Sequence, residues 1–324
     1  MKNKNVLFDT SAGSLNMGDY IIVESIEKEL GKILYQDFLA KYPTHTPVSH
    51  FYQNVKRSGA IKYFESAKYK FIAGTNILNY NMFLPWNNWN VNIFNKRPYN
   101  NSILVGVGMN PNSKRINLYT KLLYKSILSR KYIHSCRDER TTNFLKSIGF
   151  KAINTGCATM WSLTDEHCRK IPKKKTNKVI FTLTDYCKDI EKDQELINIL
   201  NENYDEIYFW IQGSNDVDYL RELKNIENIK IVSSNLRDYD NILGNGDIDF
   251  IGTRLHAGIY AMQHGCRTII LSVDNRTRDI KENYNLPCVE RKNMEELRKM
   301  INSEFETKIN IDTNNIKKWK EQFE

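Results

Sequence analysis

Twice along the chain, short runs of apolar and β-branched residues alternate with longer stretches of helical period. This rhythm constrains the fold more than any other feature. A brief apolar run bounded by turn residues reads as a strand buried on both faces, and the amphipathic stretch that follows reads as a crossover helix. Repeated, the pair builds a mostly parallel sheet, so the expected fold class is α/β. In the first half the strand-like runs fall at 6–8, 71–73, 103–107 and 132–133, with helical stretches at 20–30, 118–129 and 140–148. Gly149 stops the last helix, and 150–153 reads as a further strand. In the second half strands are expected at 179–183, 207–211, 229–232, 248–251 and 268–271. Helices are expected there at 193–201, 216–223, 239–243, 255–263 and 294–301.

Between the halves lies 169–178, with six positive charges and no negative one, which reads as a solvated linker. A chain of 324 residues exceeds what one core usually holds. The expected organisation is therefore a first Rossmann-like domain over 1–168, a linker over 169–178 and a second Rossmann-like domain over 179–305. A tail over 306–324 completes it, with an amphipathic helix at 316–323 that crosses back onto the first domain by analogy. Two such halves resemble the GT-B-like arrangement, with a central interdomain cleft. The segment 80–99, rich in Asn and carrying Phe83, Trp86, Trp89 and Phe94, follows neither period. It reads as a long loop whose aromatics pack, or else form a carbohydrate platform.

Composition removes several classes. With 41% hydrophobic and 26% charged residues, the chain is neither disordered nor collagen-like. The net charge of +9 favours an anionic partner: nucleic acid, an acidic membrane surface or a phosphorylated substrate. Six scattered cysteines without a CxxC pair predict reduced thiols and a cytoplasmic protein. Only Cys157, His167 and Cys168 approach one another, so no metal site is expected. No signal-peptide apolar region and no membrane-spanning run is visible.

Three segments carry chemistry. In Asp249-Phe250-Ile251-Gly252-Thr253-Arg254-Leu255-His256 a strand ends, Gly252 turns, and Thr253 is the expected helix cap. Arg254 and His256 then fall in a first helical turn, where free N–H groups favour an anion. Arg254 brings a guanidinium fork and His256 a proton-transfer group. The competing reading pairs Arg254 with a structural acid. In His134-Ser135-Cys136-Arg137-Asp138-Glu139-Arg140 a strand again runs into a helix. Arg137 is the candidate ligand, His134 reads as packing, and Arg140 reads as a helix-surface partner. Near the start, 9–19 forms a Gly/Ser/Asn-rich loop containing Asn16, Gly18 and Asp19. It is neither GxGxxG nor a P-loop. Asp19 reads equally as helix cap and as ligand.

Together, Asn16-x-Gly18-Asp19, Ser135-x-Arg137-Asp138 and Gly252-Thr253-Arg254-Leu255-His256 resemble the polysaccharide pyruvyl transferase family. The chain departs from the family's pattern at 153–158, where many members show Asp-Pro. The resemblance implies phosphoenolpyruvate as donor and a sugar hydroxyl pair as acceptor, giving a pyruvate ketal on a surface-polysaccharide unit. It implies His256 as the catalytic acid or base, with Arg254, Arg137, Thr253, Gly252, Asn16, Gly18 and Asp19 binding substrate. The second domain would hold the donor anion and the first the acceptor, without any cofactor. With a sugar or lipid-linked sugar as acceptor, the basic surface and exposed aromatics would let the protein meet a lipid-linked intermediate by peripheral contact with the anionic inner face of the membrane. Three alternatives stand beside this: a nucleotide-sugar glycosyltransferase of the same architecture, a basic nucleic-acid-binding protein, and an inactive scaffold. No RNP, KH or helix-turn-helix signature supports the nucleic-acid partner.

Overall fold

The computed structural model describes residues 4–83, 88–110, 115–244, 246–273 and 284–323. Its chain divides into two compact units. The first comprises Met1–Ser14, Ile22–Trp161 and Asp312–Glu324, and the second Leu15–Ile21 and Ser162–Ile311. The basic stretch 169–178 thus lies inside the second unit. It is held there by acids the sequence places elsewhere: Lys173 pairs with Glu306, Lys174 with Glu304 at 3.1 Å, and Lys178 with Glu206 at 3.3 Å.

The first unit carries a parallel sheet of six strands in the order β2-β1-β3-β4-β5-β6. These are β1 (Lys4–Asp9), β2 (Phe38–Pro43), β3 (Tyr69–Leu78), β4 (Ile103–Met109), β5 (His134–Cys136) and β6 (Ala152–Asn154). β4 is buried at every residue, as a two-faced central strand must be. β2 is an edge strand with no fully buried residue, which hides it from a search for apolar runs. The apolar pair 132–133 is not a strand; β5 begins at the polar residue His134. Helix Thr313–Lys320 belongs to this unit. The indole N–H of its buried Trp319 donates to the Ile133 carbonyl at 2.7 Å, and Phe323 lies against Phe71 at 5.1 Å.

The second unit repeats the plan with β7 (Lys178–Thr182), β8 (Glu206–Trp210), β9 (Ile229–Val232), β10 (Asp249–Gly252), β11 (Thr268–Ser272) and β12 (Cys288–Glu290). Their order is β12-β11-β10-β7-β8-β9, all parallel. β7 is followed outward by β8 on one side and flanked by β10 on the other, so the strand order reverses between β7 and β10. At such a reversal the loops leaving the carboxyl ends diverge and open a crevice, where ligands bind in open α/β sheets. Each unit has its own apolar core, with Val6, Phe8, Ile72, Leu104 and Val107 in the first and Val179, Phe181, Phe209, Ile251 and Ile269 in the second.

In the segment 80–99, Trp89 is buried against Tyr99 and Tyr124, as packing requires, whereas Phe83 and Phe94 are exposed. Trp86 lies outside the described residues. Among the described residues no helix is long and apolar enough to cross a membrane. All six cysteines are free, and all but Cys187 are buried.

Candidate functional site

In the second unit the site grows from the reversal between β7 and β10. β10 ends at Gly252, where a Cβ would stand 2.5 Å from the Thr182 hydroxyl and 2.7 Å from its backbone nitrogen. Only glycine lets the two strands leave the sheet this close. Thr253 is buried, donating its N–H to the Thr182 carbonyl at 3.1 Å, with its hydroxyl 2.8 Å from that of Thr184. It is not the cap. Helix Leu255–Gln263 spans the expected residues, but Arg254 stands at the cap position, with no side-chain cap bond. The Thr253 hydroxyl is already held by the neighbouring strand's exit loop, so it cannot serve the helix.

Arg254 is 3% exposed, and its guanidinium is spoken for on two sides. Nε donates to the Leu183 carbonyl at 2.9 Å, and Nη2 donates to Asp185 at 2.7 Å and to Asp216. Asp216 is buried, and its second oxygen accepts the Gly213 N–H at 2.7 Å. Any side chain at Gly213 would overlap Nη2 of Arg254. The exposed Tyr186 ring covers the guanidinium at 5.0 Å. Burial pushes the Asp216 carboxyl up, against the pull of Arg254. For Asp185, burial acts in the same direction, but the Asn215 amide and Arg254 together hold it below the ordinary carboxylate value. Nε and Nη2 thus spend three of the five guanidinium N–H groups on protein acceptors, and among the described residues no acceptor lies on Nη1.

Asn16, Gly18 and Asp19 belong to this same unit. Asn16 bridges to Gly213, the Met17 N–H donates to the Gln212 carbonyl at 2.8 Å, and Ser214 N–H to the Leu15 carbonyl at 3.2 Å. Oδ1 of Asn16 accepts both the Gly18 N–H at 3.0 Å and Nε2 of buried Gln212 at 2.9 Å. Asp19 sits in the first turn of helix Met17–Leu34, its N–H bonded to the Asn16 carbonyl at 3.1 Å. The point where a Gly18 Cβ would stand is 3.4 Å from Nδ1 of the half-buried His256 and 3.0 Å from Nε2 of Gln212. Gly18 is thus where Asn16, Gln212 and His256 converge. Tertiary structure therefore gathers Asn16, Gly18, Gly252, Thr253, Arg254 and His256 at one sheet edge. It adds Asp185, Gln212, Gly213 and Asp216, which sequence reasoning missed. Their signal was modest: both loops directly follow strands, as Arg254's does.

Arg137 stands in the first unit. Its N–H continues the ladder to the Val107 carbonyl at 3.0 Å, and its Nη2 donates to the Asn76 amide oxygen. Asp138 lies 4.0 Å from Nε and serves as cap of helix Glu139–Ser147 by accepting the Thr141 N–H at 2.7 Å. Gly108 makes room, since a Cβ there would stand 2.8 Å from Nη2 of Arg137. His134 is a packing residue. Its Nδ1 accepts the Leu104 N–H at 3.2 Å, Nε2 faces the Ser129 carbonyl at 2.8 Å, and burial pulls its pKa down to about 4. Arg140 lies over the Tyr80 ring at 5.9 Å. Among the described residues no group of three or more His, Cys, Asp or Glu side chains is arranged to hold a metal.

Two parallel α/β units of Rossmann-like build, each with polar groups at a carboxyl sheet edge, define a protein of the GT-B-like class. The UDP-GlcNAc 2-epimerase of Methanocaldococcus jannaschii is similar in structure, with a TM-score of 0.52 and 16% identity over 97% of this chain and 96% of that one. The enzyme from Neisseria meningitidis bound to UDP-GlcNAc has a TM-score of 0.47 and 14% identity over 100% and 99% of the two chains. Likeness at such identity speaks to the fold alone. No curated protein matches the sequence. The sequence model of the polysaccharide pyruvyl transferase family matches residues 16–275, and the chain belongs to that family.

Proposed function

We propose that the protein transfers the pyruvyl group of phosphoenolpyruvate to two hydroxyls of a sugar, forming a pyruvate ketal on a polysaccharide unit. The observation that carries this is the family match across 16–275, which contains the Arg254–His256 helix start and the Asn16–Gly18 loop gathered beside it. The chemistry balances without a redox partner. One hydroxyl adds across the enol double bond: its oxygen bonds to the central carbon, and the methylene carbon gains a proton. Phosphate then leaves, and the second hydroxyl closes the ketal as its proton passes to phosphate or solvent. His256 is the proton-transfer group, acting on the methylene carbon or on the attacking hydroxyl.

In the second unit the donor anion meets the start of helix Leu255–Gln263, where N–H groups are unpaired by the helix. Arg254 keeps its two carboxylates and donates through Nη1. Gly252 and Thr253 fix that turn. Asn16, Gly18 and Asp19 form the wall beside His256. In the first unit the partly exposed Arg137 faces an anionic or polar substrate group. The reaction as written consumes no cofactor.

Supplying phosphoenolpyruvate with a panel of sugars and lipid-linked sugars, and following phosphate, tests the reading. Sugar-dependent release is expected; consumption of a nucleotide sugar instead would overturn it. His256→Ala is expected to abolish release while melting nearly as the parent does. A folded, fully active variant removes His256 from the chemistry.

A further inference from the structure

A groove of about 640 Å³ lies in the first unit, lined by Tyr80, Arg115, Ile116, Arg140, Asn143, Phe144 and Ser147. Tyr80 follows β3, Arg115 and Ile116 follow β4, and the remaining residues belong to helix Glu139–Ser147 after β5. Loops leaving two adjacent strands thus supply one wall, and one face of the helix that follows the third strand supplies the other, from Arg140 to Ser147. Four kinds of group meet there. Tyr80 and buried Phe144 pack edge to face at 5.1 Å and form an aromatic floor. Ile116 extends it. Arg115 and Arg140 are exposed guanidinium forks, and Asn143 and Ser147 add an amide and a hydroxyl at the rim. No carboxylate is among the lining residues. The nearest acids by sequence, Asp138 and Glu139, sit at the start of the helix, where Asp138 is committed to its cap. Elsewhere on the surface Lys and Arg side chains commonly carry an acid partner, but among the described residues Arg115 forms no ion pair.

We infer that this groove binds a negatively charged sugar: the aromatic floor takes a pyranose face, the rim its hydroxyls, and the two arginines a carboxylate or phosphate it bears. The groove is open and shallow, so it meets one face of such a sugar and leaves the other to solvent. The inference deepens the pyruvyl-transfer reading, on which it rests for the sugar being the acceptor.

The test is equilibrium titration of the full chain with glucuronate, glucose 6-phosphate, glucose and inorganic phosphate. At least one charged sugar is expected to bind about tenfold or more tightly than glucose, a margin set by hydrogen bonds to charged groups. The arm showing the margin identifies carboxylate or phosphate as the charge. Arg115→Ala with Arg140→Ala should erase the margin at unchanged melting temperature. Asn143→Asp, which sets a like charge at the rim, should weaken charged sugars and spare glucose. Equal binding of charged and neutral sugars, unaltered binding by the double variant, or, where glucose 6-phosphate shows the margin, inorganic phosphate matching it overturns the inference. Groove binding without any phosphoenolpyruvate-dependent phosphate release counts against pyruvyl transfer alone. Release with acceptor affinity untouched by the groove variants counts against the groove alone.

Discussion

Each unit sends a strand into an arginine and then a helix, and each arginine leans on a glycine. In the first unit Arg137 rests over Gly108 and is held by the neutral amide of Asn76, with a fifth of its side chain exposed. In the second, Arg254 rests over Gly213 and is buried between Asp185 and Asp216. The local pattern is the same, yet the partners differ: Arg137 meets a neutral amide and, at 4.0 Å, Asp138, while Arg254 meets two carboxylates. What differs is the strand beside it. β10 lies next to β7, whose exit loop carries Asp185, and β8 beyond it delivers Asp216. Beside Arg137 the neighbouring acid is Asp138, 4.0 Å from Nε.

The strongest way to break this comparison is to remove the buried arginine. Arg254→Ala leaves Asp216 in a low-dielectric pocket without its partner, and is expected to cost about 3–5 kcal/mol in urea unfolding. A loss under about 1 kcal/mol would show that Arg254 is as loosely held as Arg137. For binding, Arg254→Lys is the cleaner variant. It keeps a charge but loses the fork, and should weaken phosphoenolpyruvate binding.

Acid exposes a second contrast, in the strand leading to Arg137. His134 has its pKa depressed from 6.5 to about 4, so the unfolded chain binds a proton that the folded chain refuses. Its stabilising contribution is complete above about pH 6.5 and is lost as pH falls towards 4, by about 3 kcal/mol in all. His134→Gln should flatten this part of the stability-against-pH curve. An unchanged slope would remove His134 as its source.

The supporting glycines sharpen the comparison further. Gly213→Ala should cost about 2–3 kcal/mol, because Arg254 is pinned and cannot withdraw. Gly108→Ala should cost less, about 1–2 kcal/mol, since the groups a Cβ would meet, the Asn76 amide and the partly exposed Arg137, are side-chain ends that can shift together. Equal losses in the two variants would contradict the difference in confinement. Smallest of all is Arg137→Ala, which should change stability by less than about 1 kcal/mol while reducing affinity for an anionic substrate. Unchanged affinity would deny Arg137 its binding role.

Much of the fold was legible because parallel strands buried on both faces are continuous apolar runs. β1, β4, β7, β10 and β11 all announce themselves this way. β2 and β5 do not. β2 has no fully buried residue, while β5 is wholly buried but built from His134, Ser135 and Cys136. Its polarity is satisfied by distant partners: the Gly106 N–H donates to the Ser135 hydroxyl at 2.8 Å, and Thr155 lies 2.6 Å from the same oxygen. Hydropathy does not register a polar strand whose hydrogen bonds are made elsewhere. The site was legible in part for the same reason. Gly252, Arg254 and His256 close a strand and open a helix within five residues, whereas Gln212, which fixes Asn16 across 196 positions, leaves no local trace.

By itself, then, the sequence determined two parallel α/β units, the strand–arginine–helix turns, and the family pattern spread over three short segments. These follow from periodicity, turn residues and spacing, all local properties. Tertiary structure decided which charges are spent. Arg254 meets acids 69 and 38 positions away, and Arg137 meets an amide 61 positions away. Ion pairing acts over a few ångströms, so it is set by which strands lie side by side. The order in which strands assemble is not written in the period of any one of them.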